Sequence, residues 1–213
     1  MLLVNKRLVR YCLIFFSTLL IMSNAYSSVS KYKIKGISGE LYDNVDKRLQ
    51  LLDKQDNLEP FERSHILKQN IVKALQPYGY YTPSIQLQGN TIIIEKGLAV
   101  TIHQINLTIL GAGKPIYSKL PKKLPIEVGK IFNSEQYEDA KQQLFDIAEQ
   151  HGYLNSKMIT SQASVNIFSH QATIAIIFDT GQQYHFGQAS FSDKTYYAKD
   201  FLARYLNFKP GMP

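Results

Sequence analysis

Cysteine is nearly absent. Cys12 is the only one among 213 residues, and it lies inside an apolar run near the start with no lipobox-like pattern around it. The chain beyond that run therefore has no disulfide and no thiolate nucleophile. Metal-ligand spacing is missing too: His65, His103, His151, His170 and His185 form no pair with a third ligand nearby. No serine stands in a nucleophile elbow. Gly111-Ala112-Gly113-Lys114 has the look of a phosphate loop, but Pro115 replaces the hydroxyl residue that such a loop needs after its lysine. Carboxylates are scattered over polar helical faces, where solvated charge belongs. The residues propose no catalytic group, no cofactor and no metal, and the chain reads as a non-enzyme.

What is present begins with a leader. Lys6, Arg7 and Arg10 form a basic stretch, Tyr11 to Met22 is apolar, and Ser23-Asn24-Ala25 offers small residues where a signal peptidase cuts. The run is shorter than the ~20 residues that span a bilayer. Residues 1–25 are therefore expected to be a signal peptide cleaved between Ala25 and Tyr26, in preference to an uncleaved anchor. Removing its three basic residues lowers the formal charge from +7 to +4. That mild positive bias suits a place near anionic lipid, and export argues against nucleic acid as a partner.

The stretch from Asn133 to Leu154 organises the rest. Tyr137, Ala140, Leu144, Ile147, Ala148 and His151 recur at helical spacing. Asn133 or Ser134 can cap the start, and Gly152 can end the helix in a left-handed conformation before Tyr153 turns extended. His151, just before the glycine, suits a helix C-terminus better than a ligand role. The same joint occurs earlier, where Leu67, Ile71, Ala74 and Leu75 form a stripe that Gly79-Tyr80 interrupts.

Around each joint the elements read β-α-α-β-β. In the first unit, Tyr32 and Ile34 alternate with lysines as a strand, Leu41 to Leu52 is a helix, and a second helix runs from Pro60 to about Gln76. Thr82 to Gln88 alternates as a second strand, Gly89-Asn90 turns, and Thr91 to Glu95 is apolar on both faces, as a central strand is. In the second unit, Thr101 to Leu110 is a strand with Ile105, Leu107 and Ile109 on one face. A weak helix follows from Tyr117 to Leu124, then the long helix. Ser156 to Ile167 is a strand with Ile159, Ala163, Val165 and Ile167 on one side, Ser169-His170 turns, and Thr173 to Phe178 is a second apolar run. Tyr184 to Phe191 then looks like another first strand and Tyr197 to Leu206 like its helix. Phe208-Lys209-Pro210-Gly211 echoes the Ile126-Glu127-Val128-Gly129 loop. The expected organisation is 1–25 leader, 26–98 first unit, 99–181 second unit and 182–213 the start of a third. The chain is expected to be a fragment or truncated product of something longer. A repeat this long means tandem small domains, not a solenoid.

Tyrosines such as Tyr80, Tyr137 and Tyr153 fall at core or joint positions and read as packing, not as base-stacking platforms. The sheet edges are the candidate site. The last strand of each unit should lie mid-sheet, which leaves the first two as edges able to accept an extended segment of another protein. The second strands carry little charge and no internal proline. The candidate contacts are Thr82, Ser84, Gln86 and Gln88 in one, and Ser156, Met158, Thr160 and Gln162 in the other. An edge merely solvated, or covered by a neighbouring unit, is the equal alternative. Proline at Gln86 or Ser161 is the expected way to block such pairing.

Gly36-Ile37-Ser38-Gly39, Gly79-Tyr80-Tyr81-Thr82-Pro83-Ser84-Ile85, Gln136-Tyr137-Glu138, Gly152-Tyr153 and Tyr184-His185-Phe186-Gly187 follow one another along nearly the whole exported chain. In that order they resemble the POTRA arm of the TamA family, within the Omp85 superfamily. The resemblance implies an α+β fold of tandem POTRA (β-α-α-β-β) units, each a three-stranded mixed sheet covered on one face by two helices. It implies an outer-membrane location on the periplasmic side, through a C-terminal β-barrel that this sequence lacks. It further implies a TamB-like inner-membrane-anchored partner and unfolded outer-membrane or autotransporter substrates. A membrane-anchored periplasmic scaffold of the cell-division POTRA kind, without a barrel, is the alternative.

Overall fold

The structure, a computed structural model, describes residues 31–52, 60–119, 124–192 and 196–213. The proposed leader, with Ala25 and Tyr26, lies outside the described residues. Strand β1 (Lys33–Lys35) is followed by helices α1 (Glu40–Leu52) and α2 (Pro60–Leu75), then by strands β2 (Ser84–Gln88) and β3 (Thr91–Glu95). The sheet order is β1-β3-β2, with β1 parallel and β2 antiparallel to β3. The last strand is central for the reason its sequence gives: Ile92 and Ile94 are fully buried on the helix side, while Ile93 is half-buried on the other. Tyr32 and Ile34 of the first strand segment, Val45 and Leu49 of α1, and Leu67, Ile71, Ala74 and Leu75 of α2 complete this core. Polar bonds fix the two helices against each other: the Asn44 side chain donates to the Ala74 carbonyl at 2.6 Å and Arg48 Nε to Asn70 Oδ1 at 3.0 Å. Beyond α2 the chain tightens into a 3₁₀ turn at Gln76–Tyr78, which Pro77 allows and an α-helix would not.

The second unit repeats the plan. It contains β4 (Thr101–Leu110), a 3₁₀ helix (Lys114–Lys119), α3 (Ser134–Gln150), β5 (Lys157–Asn166) and β6 (Gln171–Asp179). The order is β4-β6-β5, again with the last strand central, parallel to one neighbour and antiparallel to the other. The expected mixed three-stranded sheets and tandem α+β units are therefore present. Asn133 caps α3, its Oδ1 accepting from Glu135 N and Gln136 N. The buried face of α3 is Tyr137, Ala140, Leu144 and Ala148, and it packs on Ile174, Ile176 and Phe178 of β6.

Four details depart from the sequence reading. The first helix of the second unit is a 3₁₀ helix that begins at Lys114, earlier than expected, with Pro115 in its first turn. Each long strand carries a bulge, at His103 in β4 and at Ile159 in β5. Counting by twos puts Ile159 and Ile167 inside, but the extra residue turns Ile159 outward, 51% exposed, and Met158 inward instead, while Ile167 lies past the end of β5 in the turn. His151 is exposed, off the buried face; its Nδ1 bonds the Ile147 carbonyl at 2.8 Å, as a helix-end histidine does. Residues 184–191 form no strand. In both units the opening strand pairs with the unit's third strand, and residues 184–191 have no such partner among the described residues. Among the described residues that follow, a short helix forms, α4 (Lys199–Ala203), with Tyr197 stacked on Phe201 and Tyr205 edge-on to it.

The Gly111-Ala112-Gly113 loop acquires a structural reason. Thr180 is the one buried polar side chain among the described residues, and its Oγ1 accepts from Gly113 N at 2.9 Å and donates to the Leu110 carbonyl at 3.2 Å. A Cβ at Gly111 would meet Thr180 Oγ1 at 2.5 Å, and one at Gly113 would meet the Thr180 methyl at 2.9 Å. The glycines let the loop close on a threonine, not on a phosphate.

Candidate partner-binding edges

Among the described residues the two sheets have four edge strands, and these differ physically. The β1 edge is three residues long and carries Lys33 and Lys35, both exposed. Charged, short edges resist pairing with other chains. The start of β4 is already covered. Ile102 N donates to the Lys130 carbonyl at 2.8 Å, Gly129 N to the Ile102 carbonyl at 2.7 Å, and Thr101 bridges Ile131. The second strands are different. No described strand pairs with the outer edge of β2 or of β5. The five residues of β2 carry no charge, and the ten of β5 carry only Lys157, whose Nζ lies 4.0 Å from Asp179.

The candidate contacts fall unevenly on these edges. Ser84, Gln86 and Gln88 lie in β2 and are exposed, opposite the face on which Ile85 and Leu87 pack. Thr160 and Gln162 lie in the regular part of β5 beyond the bulge, Gln162 exposed and Thr160 half-buried. Thr82 precedes β2, held in a bend before Pro83, and its carbonyl would lie 2.8 Å from a Cβ on Gly97. Ser156 precedes β5, its N–H directed to the Tyr153 carbonyl at 3.3 Å. Met158 packs against the core. The regular edge segments with no described strand beside them are thus Ser84–Gln88 and Thr160–Asn166. Ser161 meets the Tyr137 hydroxyl at 2.7 Å, so proline there would also strip a contact to the core; Gln86 is the cleaner position. Sequence reasoning missed Ile159, an exposed apolar side chain beside the open β5 edge, because a bulge has no signature in an alternating pattern.

The electrostatics around the joint are those of buried phenols. Burial pushes the Tyr117 hydroxyl up to about 12, with nearby Tyr153 adding to it, and this hydroxyl donates to the Leu144 carbonyl at 2.8 Å. A tyrosine in an unfolded chain titrates near 10. The contribution of the neutral, bonded form is therefore complete below pH 10 and is lost as pH rises from there to about 12. An alkaline loss of about 2 kcal/mol in the second unit is expected, and Tyr117→Phe should flatten it while costing about 1 kcal/mol at neutral pH. Urea midpoints measured from pH 8 to 11.5 on both proteins check this; parallel pH curves would rule it out. Tyr78 is raised as well, first by burial and then by Glu40, Glu135 and Asp43. It lines a cleft of about 660 Å³ between the two units, with Leu41, Tyr80, Leu124, Ile131 and Gln136.

Among the described residues no three of histidine, cysteine, aspartate and glutamate are placed to hold a metal. A three-stranded mixed sheet with its last strand central and two helices on one face is the architecture of a POTRA domain. Residues 31–102, the first unit, match the family model described as POTRA domain TamA domain 1. Among solved structures, the POTRA3-5 segment of BamA from Haemophilus influenzae is similar at 16% identity and a TM-score of 0.42, over 86% of this chain and 78% of that one. The POTRA1-2 segment of Omp85 from Anabaena is similar at 14% identity and a TM-score of 0.34, over 73% of this chain and 96% of that one. No helix among the described residues is long and apolar enough to cross a membrane.

Proposed function

We propose that this chain is the periplasmic POTRA arm of an outer-membrane protein assembly or translocation factor of the TamA kind. On this reading residues 1–25 are the export leader, 26–98 and 99–181 are two POTRA units, and 182–213 open a third. The arm is a scaffold and carries no chemistry of its own. It docks a TamB-like, inner-membrane-anchored protein and unfolded outer-membrane or autotransporter substrates by taking their extended segments onto the β2 or β5 edge. Attachment to the outer membrane belongs to a barrel outside this sequence. The observation that carries the reading is the match of residues 31–102 to the family model of the first TamA POTRA domain, on a sheet whose uncharged second strand has no described strand on its outer side.

The chain from residue 26 onward holds no cysteine, so single cysteines report on contacts without background. Gln86→Cys and Gln162→Cys, fitted with a short photo-crosslinker, should capture the periplasmic domain of a TamB-like protein or a denatured outer-membrane strand peptide. Glu138→Cys on the exposed face of α3 should not. Gln86→Pro should weaken capture by a crosslinker carried at Ser84→Cys, in the same strand, with the fold retained. Capture at 138 in preference to both edge positions would remove augmentation from the reading.

A further inference from the structure

The two Gly-Tyr joints are built identically as helix ends. Gly79 N donates to the Gln76 carbonyl and Tyr80 N to the Leu75 carbonyl; Gly152 N donates to the Glu149 carbonyl and Tyr153 N to the Ala148 carbonyl. Both glycines are left-handed, at φ 85° and 80°. This is a helix-ending motif with glycine in its required place, and a helix end alone explains that much. It does not explain what lies against the glycines.

Each glycine receives the next stretch of chain in the same way. Val100 N donates to the Gly79 carbonyl at 2.8 Å, and Tyr184 N to the Gly152 carbonyl at 2.7 Å. Two residues further on, Ile102 pairs with the loop at Gly129 and Lys130, and Phe186 pairs with the loop at Gly211 and Met212. Ile102 N reaches Lys130 O at 2.8 Å and Gly129 N reaches Ile102 O at 2.7 Å; Phe186 N reaches Met212 O at 2.8 Å and Gly211 N reaches Phe186 O at 2.8 Å. The echo between the two loops in sequence is thus an echo of one docking geometry. The space above each glycine is filled by that following stretch. A Cβ on Gly79 would lie 2.7 Å from both the Ile131 methyl and the Phe132 carbonyl, and a Cβ on Gly152 would lie 2.7 Å from the Tyr184 carbonyl and 3.2 Å from Pro213.

From this we infer that Gly79 and Gly152 are the seats of a repeated head-to-tail docking surface that fixes the orientation of each unit on the one before it. The surface has two halves. One is the end of a unit's last helix, which offers the glycine carbonyl and a bare Cα. The other is the start of the next unit, where the opening segment donates to that carbonyl while its own Gly-containing loop closes over the glycine. Residues 184–186 and 208–213 supply both parts of the second half, although neither stretch lies in a sheet, and Phe186 stacks on Phe208 at 4.2 Å to hold it closed. The partner this surface fits is therefore another unit of the same class. Its consequence is a rigid arm in which the β2 and β5 edges keep a fixed relation, whatever partner those edges take.

The test separates docking from the ordinary cost of a left-handed residue. Spin labels at Lys47→Cys and Glu149→Cys, exposed on α1 and α3, report the distance between units by electron double resonance. Gly79→Ala should shift or broaden that distance. Gly89→Ala, left-handed in a hairpin turn with nothing within 4 Å of its Cβ, should leave it unchanged. An unmoved distance in Gly79→Ala, or an equal movement in Gly89→Ala, overturns the inference. If Gly79→Ala fails to fold, the second joint decides. Tyr184→Pro, at an exposed site outside both sheets, removes the N–H that reaches Gly152. Amide exchange at Phe186 and Gly211 should then lose about tenfold protection or more while the β6 amides keep theirs. Retained protection at Phe186 and Gly211 overturns the inference as surely.

Discussion

Gly36→Ala is expected to unfold the first unit and leave the second standing. Gly36 follows β1 at φ 91°, and a Cβ there would lie 2.1 Å from the carbonyl oxygen of Ile94 and 3.1 Å from its carbon. Neither atom can yield, because Ile94 is in the central strand with β1 on one side and β2 on the other. Alanine must therefore push β1 away from β3. That strand is only three residues long, so a small displacement loses the whole ladder, and with it the burial of Tyr32 and Ile34. Left-handed strain and crowding each cost about 1–3 kcal/mol, and together they approach the entire stability of a unit of about 70 residues, roughly 4–10 kcal/mol. Amide exchange separates the two units without a tryptophan, which the chain lacks. Ile92 and Ile94 should lose protection, and Ile174 and Ile176 should keep it. Protection unchanged at Ile94 would mean that the chain leaves β1 by another path.

How much of this was legible beforehand depends on the range of the forces involved. The helices were readable because their cause is local: Asn133, the stripe from Tyr137 to Ala148, and Gly152 each act within one turn of their neighbours. The central place of β3 and β6 was readable because burial on both faces leaves an apolar run, and Ile92–Ile94 and Ile174–Phe178 are such runs. The bulges at His103 and Ile159 were not, because a bulge is a property of two paired strands and its sequence trace is one residue of offset. That offset put Ile159 inside and Met158 outside; Ile167 was misplaced for another reason, because β5 ends one residue before it. The site was legible to the same depth. The edges themselves follow from strand order, so Ser84, Gln86, Gln88, Thr160 and Gln162 fall on them. Their ends are set by contacts between distant segments, so Thr82 and Ser156 fall outside. The covering of β4 by the loop at Gly129–Ile131 was visible only as an unexplained likeness to Phe208–Gly211. Its meaning needed the hydrogen bonds.

Phe178→Ala should do to the second unit what Gly36→Ala does to the first, by the opposite means. Phe178 is fully buried at the end of the central strand β6, edge-on to Phe145 at 5.0 Å and tilted against Tyr117 at 5.9 Å. Its ring joins the two parts of the covering layer, since Phe145 comes from α3 and Tyr117 from the 3₁₀ helix. Removing it leaves a cavity between those two rings, flanked on the sheet by its cross-strand partners Ile109 and Met158. A 3₁₀ helix of six residues cannot collapse into that space without giving up the Tyr117 bond to the Leu144 carbonyl. The cost expected is about 3–5 kcal/mol, the usual range for a buried phenylalanine truncated to alanine. Ile174 and Ile176 should lose their slow exchange, and Ile92 and Ile94 should retain it apart from what the joint transmits. That remainder is itself informative. The docking at Gly79 connects the units through Val100, Ile131 and Phe132, all seated on the second core or beside it. If the units are docked as inferred, Gly79 and Tyr80 amides should loosen in Phe178→Ala before any strand of the first unit does. Simultaneous loss across both sheets would instead make the two units one cooperative body, and no loosening at Gly79 would leave them as beads on a string.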